Sequence, residues 1–442
     1  MTSRNISIRP NNIPSDGKIS FKNGFPVLSF TIQAQNGILD PRTIRINGQI
    51  DIFRDNASPP VAPLVNASNQ PTMDNRLGIY NIWDQLIIRH DRSSQICEHI
   101  RHYPRYMSSY LGVAASKQDL MTHQNESNLI MPNASQFFEQ VVCQNASGSK
   151  VSEFSCNLPS GFMSAGNAIN LMNNAFGSIT IELHLTPDQQ ALFGYNGTTD
   201  NVISESHYQL SKLSLTCIVD DIPEDQMAKM QSETQGTLQF NTITSLYTTI
   251  NQSNAQLQYS LGLKNVQSVF MNFVPSKNLN TLTANGHATT YPSLSTGVLA
   301  NFDRVQFLRG GEKYPLHFDV TTQISKTDGS KVVDPELLRY FVESILPEYA
   351  TDRSTVSTQN NNRLYTVNNT AATTYLDVAD GGALFGIGMK YSQYNTGQDF
   401  SRQQWGVSLE TTLTDDSPQS VFIYIKSLAT LVWNANGIQL IQ

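Results

Sequence analysis

The chain has 442 residues, only 15% of them charged, and a formal net charge of −7. One hydrophobic core stops growing at about 300 residues, so two domains are expected. Asn, Gln, Ser and Thr make up for the missing charge, which suits sheets and polar loops and excludes a long helical bundle, whose outer face wants Glu and Lys. The negative balance excludes a protein that coats nucleic acid, and no sequence-specific nucleic-acid partner is expected. No apolar run of about 18 residues is present to span a membrane. The opening MTSRNISIRPNNIPSDG has no apolar signal core, so no secretory route is expected and sequons such as Asn66-Ala-Ser and Asn145-Ala-Ser carry no weight. Cys97, Cys143, Cys156 and Cys217 form no CxxC pair and read as free thiols of a reducing compartment.

Strand signals dominate from the N-terminus onward. VLSFTI puts Leu28, Phe30 and Ile32 on one face. TIRINGQIDIF reads as two short strands, carrying Ile44 and Ile46, then Ile50 and Ile52, around a turn at Asn47-Gly48. Residues 54–78, rich in Pro and Asn, read as a long functional loop. SSQICEHIRHY aligns Ile96, Ile100 and Tyr103 as the stripe of a short helix stopped by Pro104, and the basic aromatic RHYPRY reads as a solvated loop. SITIELHL alternates Ile179, Ile181, Leu183 and Leu185 against Thr180, Glu182 and His184.

In the second half, residues 223–236 carry helix signals: Pro223 at the start, Glu224 and Asp225 in the first turn, Gly236 at the end. YPLHFDV alternates Leu316, Phe318 and Val320 against His317 and Asp319. DPELLRYFVESILP opens with Asp334 as cap and Pro335 at the first helical position, and Leu338, Phe341, Val342 and Ile345 make its apolar stripe. Residues 348–375 read as a second long loop, rich in Thr and Asn. Trp83, Trp405 and Trp433 all lie in strand-like contexts.

The closing VFIYIKSLATLVW resembles the earlier YQLSKLSLTCIV when Lys426 is set on Lys212. Upstream of each stands another alternating strand and a Thr-Asp type turn, SITIELHLTPD and WGVSLETTLTDD, in the same order. The pattern fits an internal duplication, and it equally fits two amphipathic strands that look alike by composition.

No catalytic constellation assembles. Cys97, Glu98, His99 and His102 are the tightest cluster of ligand-type residues; on a helix they could approach a zinc site, but with no second cluster they read as the polar side of that helix. No Gly-x-Ser-x-Gly elbow exists, and Ser160-Gly161 in NLPSGF reads as a turn. Asp220-Asp221 and Asp415-Asp416 read as turn formers at strand ends rather than the opposed carboxyls of a glycosidase. DVADGGALFGIG lacks the GK[ST] of a phosphate loop, and RGGEKYP reads as a turn into a strand. The chain is therefore expected to be no enzyme, with no catalytic, cofactor-binding or metal-binding residue.

Several stretches together resemble the double jelly-roll major capsid proteins of the adenovirus, virophage and Polinton-like virus lineage. They are LGIYNIWDQLIIRHDRSSQICEHIRHYPRYMSSYL at 77–111, LPSGFMSAGNAINLMNNAFGSITIELHL at 158–185, VQFLRGGEKYPLHFDV at 305–320 and the closing VFIYIKSLATLVW. The chain is much shorter than adenovirus hexon or typical virophage capsid proteins, which implies modest outer loops. The resemblance implies an all-β fold of two jelly-roll β-sandwiches side by side, with a few short helices in connections. It implies an N-terminal arm and first roll over 1–222, a helical connector at 223–236 and a second roll over 237–442. It implies a virion structural protein, assembled as a homotrimeric, near-hexagonal capsomer in an icosahedral shell. Neighbouring capsomers, penton and minor capsid proteins would be its partners, and an arm over 1–20, disordered until it docks, could reach an inner membrane. The competing readings are a β-sandwich fibre head or carbohydrate-binding module, with the long loops as binding surface, and a two-domain hydrolase.

Overall fold

The computed structural model describes residues 2–53, 71–73, 77–114, 127–130, 152–164, 167–194, 207–232, 235–252, 254–259, 261–276, 279, 302–314, 320–321, 323–324, 331–332, 335–345, 386–391, 397–411, 419–434 and 437–442. Most of the loop at 54–78, the loop at 348–375, Leu316, Phe318, Cys143, Asp415 and Asp416 lie outside them.

The first half forms eight main strands: β1 (Ser3–Ile8), β2 (Val27–Ile32), β3 (Arg45–Phe53), β4 (Trp83–His90), β5 (Ile96–Arg101), β6 (Ser152–Asn157), β7 (Ile179–Leu185) and β8 (His207–Asp221). β8 lies between β1 and β3, and β6 pairs with the far side of β3. The facing sheet runs β2-β7-β4-β5. The second half repeats the plan with β9 (Gly236–Ile250), β10 (Asn254–Tyr259), β11 (Val266–Pro275), β12 (Phe302–Arg309), β13 (Glu312–Lys313), β14 (Gly386–Lys390), β15 (Trp405–Thr411) and β16 (Gln419–Asn434). One of its sheets runs β9-β16-β11-β14 and the other β10-β15-β12-β13, and a final strand β17 (Gly437–Ile441) folds back on β16.

The expected alternation holds where one face meets a core. Leu28, Phe30 and Ile32 are buried along β2, and Ile179, Ile181, Leu183 and Leu185 along β7. Two apolar clusters result. The first holds Phe30, Ile46, Ile50, Ile181 and Leu210; the second holds Val269, Phe307, Val407, Leu409 and Ile423. Both expected helices form, α3 (Glu224–Ser232) between β8 and β9 and α4 (Pro335–Ile345), whose Phe341 and Ile345 are buried. Gly310 and Gly311, both at positive φ, turn β12 into β13 as the RGGEKYP reading expects. Cys97, Cys156 and Cys217 are free and buried.

Several expectations fail. Asn47-Gly48 is not a turn: β3 runs unbroken through it. Gly48 sits on the inward face, where a Cβ would come within 2.8 Å of both Leu213 and Phe154, so close approach of neighbouring side chains explains the glycine. SSQICEHIRHY is not a helix. Its middle is β5, paired to β4, and the helix α1 (Tyr103–Ala114) begins where one was expected to stop. Pro104 lies in the first turn of α1, where its missing N–H costs nothing, and His102 at φ 52 makes the break. Asp220 and Asp221 form no turn; they end β8, where Ser3 donates to Asp220 at 2.6 Å and Arg4 pairs with Asp221 at 2.6 Å.

The arm over 1–20 is docked rather than free. β1 pairs with β8 from Ser3 to Ile8, and Ile19 bridges Leu210 and is buried. Asn12 closes the outer edge of β2, its amide donating to Val27 O at 2.6 Å while its carbonyl accepts Ser29 N at 3.0 Å. That protects an edge that would otherwise template another strand.

One prediction tests the close approach at Gly48. Gly48→Ala should cost about 1–3 kcal/mol by overpacking, read as a lower urea midpoint at unchanged slope. A neutral substitution would return the residue to a loose turn.

Candidate functional site at the joint between the sheets

The two halves meet where β5 lies beside β9. The pairing is parallel and rests on one register pair, Thr244 with His99. Side chains replace the missing backbone ladder. Thr242 Oγ1 donates to Cys97 O at 3.3 Å, and Arg101 N donates to Ser245 Oγ at 3.1 Å. Glu98, 1% exposed, accepts from Ile243 N at 2.8 Å and from Gly161 N and Phe162 N at 3.0 Å each.

The last two donors come from a single turn, α2 (Gly161–Ser164). Ser160 caps it by accepting Met163 N at 3.1 Å. Gly161 is required by contact: a Cβ there would come within 2.5 Å of Asn241 O and 2.8 Å of Glu98 Oε1. The Ser-Gly pair that reads as a simple turn thus docks the first half onto both β5 and β9. Burial pushes the Glu98 carboxyl up from 4.5 to about 7, against the opposing pull of Ser160 and the three backbone donors.

Above the clasp lies an aromatic layer. Tyr106 of α1 stacks between Tyr103 and Tyr110, each 5.8 Å away, and meets Tyr424 of β16 edge-on at 5.7 Å. Phe270 of β11 stacks on Tyr424 at 5.3 Å, and Phe162 meets Phe240 of β9 at 4.9 Å. Tyr424 donates its hydroxyl to His102 O, and Tyr103 donates to Pro159 O, at 2.8 Å each. Asn272 of β11 donates to Arg105 O at 2.8 Å and accepts from Ser109 at 2.7 Å. The Arg105 guanidinium lies 5.3 Å over the Phe422 ring. RHYPRY is therefore not a solvated loop: Tyr103, Arg105 and Tyr106 are buried in the joint. Phe240, Phe270, Phe422 and Tyr424 all belong to the first apolar cluster, so the first core continues across the joint.

The four ligand-type residues of CEHIRH are spread apart by this geometry. Cys97 is buried, its thiol pushed up to about 12 by burial. Glu98 enters the clasp. His99 bonds Gln85 at 2.9 Å on the other face, held below its ordinary pKa by burial first and then by Arg101. His102 lies 3.5 Å from Asp84 and against Phe422. Among the described residues no group of three His, Cys, Asp or Glu could hold a metal ion. A groove of about 350 Å³ runs along the joint, walled by Ile96, Glu98, Arg101, Thr244, Ser245 and Leu440.

The parallel contact fixes direction as well as contact. Tyr208 at the start of β8 meets Thr186 and Asp188 just past β7, and Val266 at the start of β11 bridges Gln398 ahead of β15, which sets the facing sheets of each sandwich in order. With every other pairing among these main strands antiparallel, β1, β3, β5 and β7 point the same way as β9, β11, β13 and β15. The connections 9–26, 54–82, 102–151 and 186–206 therefore leave from the same end as 251–253, 276–301, 314–385 and 412–418. The other end holds 33–44, 91–95 and 158–178, then 260–265, 310–311 and 391–404, together with α3, so the four longest connections, 54–82, 102–151, 276–301 and 314–385, share one end.

Two eight-stranded antiparallel sandwiches with the same strand order, side by side in one chain, define a double jelly roll. The sequence matches no family model and no curated protein. Among solved structures the chain is similar to a chain of the PBCV-1 virus capsid, with a TM-score of 0.57 at 10% identity over 100% of this chain and 97% of that one. It is similar to the Faustovirus major capsid protein, with 0.57 at 9% identity over 98% and 90%. It is similar to a chain of the Sputnik virophage, with 0.56 at 12% identity over 100% and 88%. The last match corrects the expectation that this chain is much shorter than virophage capsid proteins. The fold is the one shared by these viral capsid chains.

The clasp makes a pH-dependent prediction. In the folded chain Glu98 keeps its proton up to about 7, against 4.5 as its ordinary value. Between those values the folded state binds more protons than the unfolded one. Stability from this group therefore falls as pH rises from 4.5 to about 7, by about 1.4 kcal/mol per unit, and is level above. Glu98→Gln removes that slope and turns an amide N–H₂ toward backbone donors, at a cost of about 1–3 kcal/mol. Unfolding midpoints of wild type and variant across this range measure both effects; parallel curves would contradict the assignment.

Proposed function

We propose that this chain is a viral major capsid protein, without enzymatic activity, whose work is assembly. The observation that carries the reading is the joint: two like-directed jelly rolls are held as one block, with the four longest connections, 54–82, 102–151, 276–301 and 314–385, at one end. The proposed division is an N-terminal segment and first roll over 1–222, a connector at 223–236 and a second roll over 237–442.

One block of two similar wedges is half of a two-fold repeat. Three chains closing in a ring by head-to-tail contacts would supply six wedges and a near-hexagonal outline, suited to tiling an icosahedral shell. Uncharged polar surfaces permit many weak contacts between tiles without like-charge repulsion. The end with the long connections would face outward, as variable surface loops do. The end with α3 and the shorter turns would face inward, toward minor proteins or an enclosed membrane. Vertex proteins would meet the ring at its sides. The site of action is the virion.

The test is the absolute mass of the purified chain by light scattering, with electron microscopy of the same peak. A species of three chain masses showing six lobes is expected. A monomer at every accessible concentration would contradict the trimer and turn attention to a ligand-binding sandwich.

A further inference from the structure

The outward face of β7, β4 and β5 carries chemistry that the fold does not require. His184, Gln85 and Arg101 stand opposite one another in one cross-strand row, and Glu182, Ile87 and His99 in the next. The corresponding face of the second roll is neutral at this place, with Gln256, Ser408 and Gln306 in a row, and its Arg304 is paired with Glu410 at 3.3 Å. In the first roll Arg89 and Glu182 make a like pair, at 2.6 Å. Arg101 is additional. It is exposed, and among the described residues its guanidinium has no carboxylate partner. His99 and Arg101 also wall the groove along the joint, together with Thr244 and Ser245 of β9.

We propose that this row is a binding site for a free tetrahedral oxyanion, sulfate or phosphate, and that it strengthens as its imidazoles take up protons. Arg101 supplies the planar fork of donors that suits such an anion. His99 and His184 supply charge when protonated, and Thr244 supplies a hydroxyl. The backbones of His184 and Arg101 lie two strand spacings apart, about 10 Å, a span that their side chains can close around one anion. The site stands apart from the assembly reading and does not depend on it.

His99 is set up for the task. Gln85 gives its N–H₂ to Asp84 at 3.3 Å, so its carbonyl oxygen accepts the Nε2–H of His99 at 2.9 Å. Nδ1 remains to take up a proton. Burial first, then Arg101, His184 and Arg89, hold the imidazole below its ordinary pKa, against the pull of Asp84. The ring therefore sits in a positive field. Thr244 and Ser245 bring no charge to it, and Glu98, which lines the groove, turns its carboxyl to Gly161, Phe162 and Ile243. An anion seated here offsets the field and favours the protonated ring, and the protonated ring in turn holds the anion more tightly.

The experiment is calorimetric titration with sodium sulfate, against chloride at constant ionic strength, at about pH 6 and about pH 7.5, which bracket histidine protonation. Sulfate keeps both charges throughout, so any pH dependence belongs to the protein. Wild type is expected to bind one sulfate per chain, more tightly at the lower pH. Arg101→Gln should weaken binding at least about tenfold at both. The double variant His99→Gln, His184→Gln keeps a donor for Gln85 and should lose the pH dependence while retaining the affinity seen at the higher pH. Arg304→Gln, on the second roll, should behave as wild type. Circular dichroism confirms that each is folded. As a check needing no variant, sulfate should raise the titration midpoint of the His99 ring protons in the magnetic resonance spectrum of wild type. Absence of saturable sulfate binding by wild type at the lower pH overturns the site, and so does undiminished binding by Arg101→Gln. Stoichiometry is counted per chain, so neither result bears on the trimer.

Discussion

A single parallel contact between β5 and β9 decides how the rest of the molecule is arranged. It is a weak ladder, one register pair long, completed by the Glu98 carboxylate and by the hydroxyls of Thr242 and Ser245. Each such hydrogen bond contributes about 1 kcal/mol net. Fully burying an aromatic side chain contributes about 1.5–3 kcal/mol, and the joint buries Phe240, Phe270, Phe422 and Tyr424 from the second roll alone. The apolar layer therefore supplies most of the attraction. The clasp supplies what an apolar layer lacks: only one sliding position of β9 puts Ile243 N on Glu98 while Gly161 and Phe162 reach the same carboxyl. A buried carboxyl is poor cement and a good register mark.

Direction follows from that register. Because the contact is parallel, both rolls send their two longest connections from the same end. An antiparallel joint of equal area would have divided these longest connections between the two ends. The two rolls differ in the chemistry of their matching faces. The one sealed within the chain is apolar, while its counterpart on the first roll is polar and self-satisfied.

Much of this was legible in the sequence where one face meets core and the other meets water. The alternation of 27–32 and 179–185 and the helix signals around 224–232 and 335–345 are local, and they survive. The joint was illegible because its residues are buried from both sides. β5 buries Cys97, Glu98 and Ile100, and a bulge between Ile88 and Arg89 breaks its phase, so period two is lost and a helical stripe seems to show. Glu98 looks like a surface or ligand residue until Gly161, Phe162 and Ile243 arrive from distant parts of the chain. The repeated phrase was read in the right place and the wrong phase. β7 and β15, and β8 and β16, hold matching positions in their sheets. Aligned on Lys212 and Lys426, however, Leu210 of the first core meets Tyr424, which faces α1 across the joint. A bulge between Ser211 and Ser214, with Lys212 at φ 51, shifts the faces of β8.

Hydrogen exchange at three amides tests the central claim most directly. Gly161, Phe162 and Ile243 all donate to Glu98. If the joint makes one rigid block, these amides exchange as slowly as those in the middle of β7 and β16. If they exchange quickly while both strands stay protected, the two rolls move independently, and a single fixed joint is the wrong account of this chain.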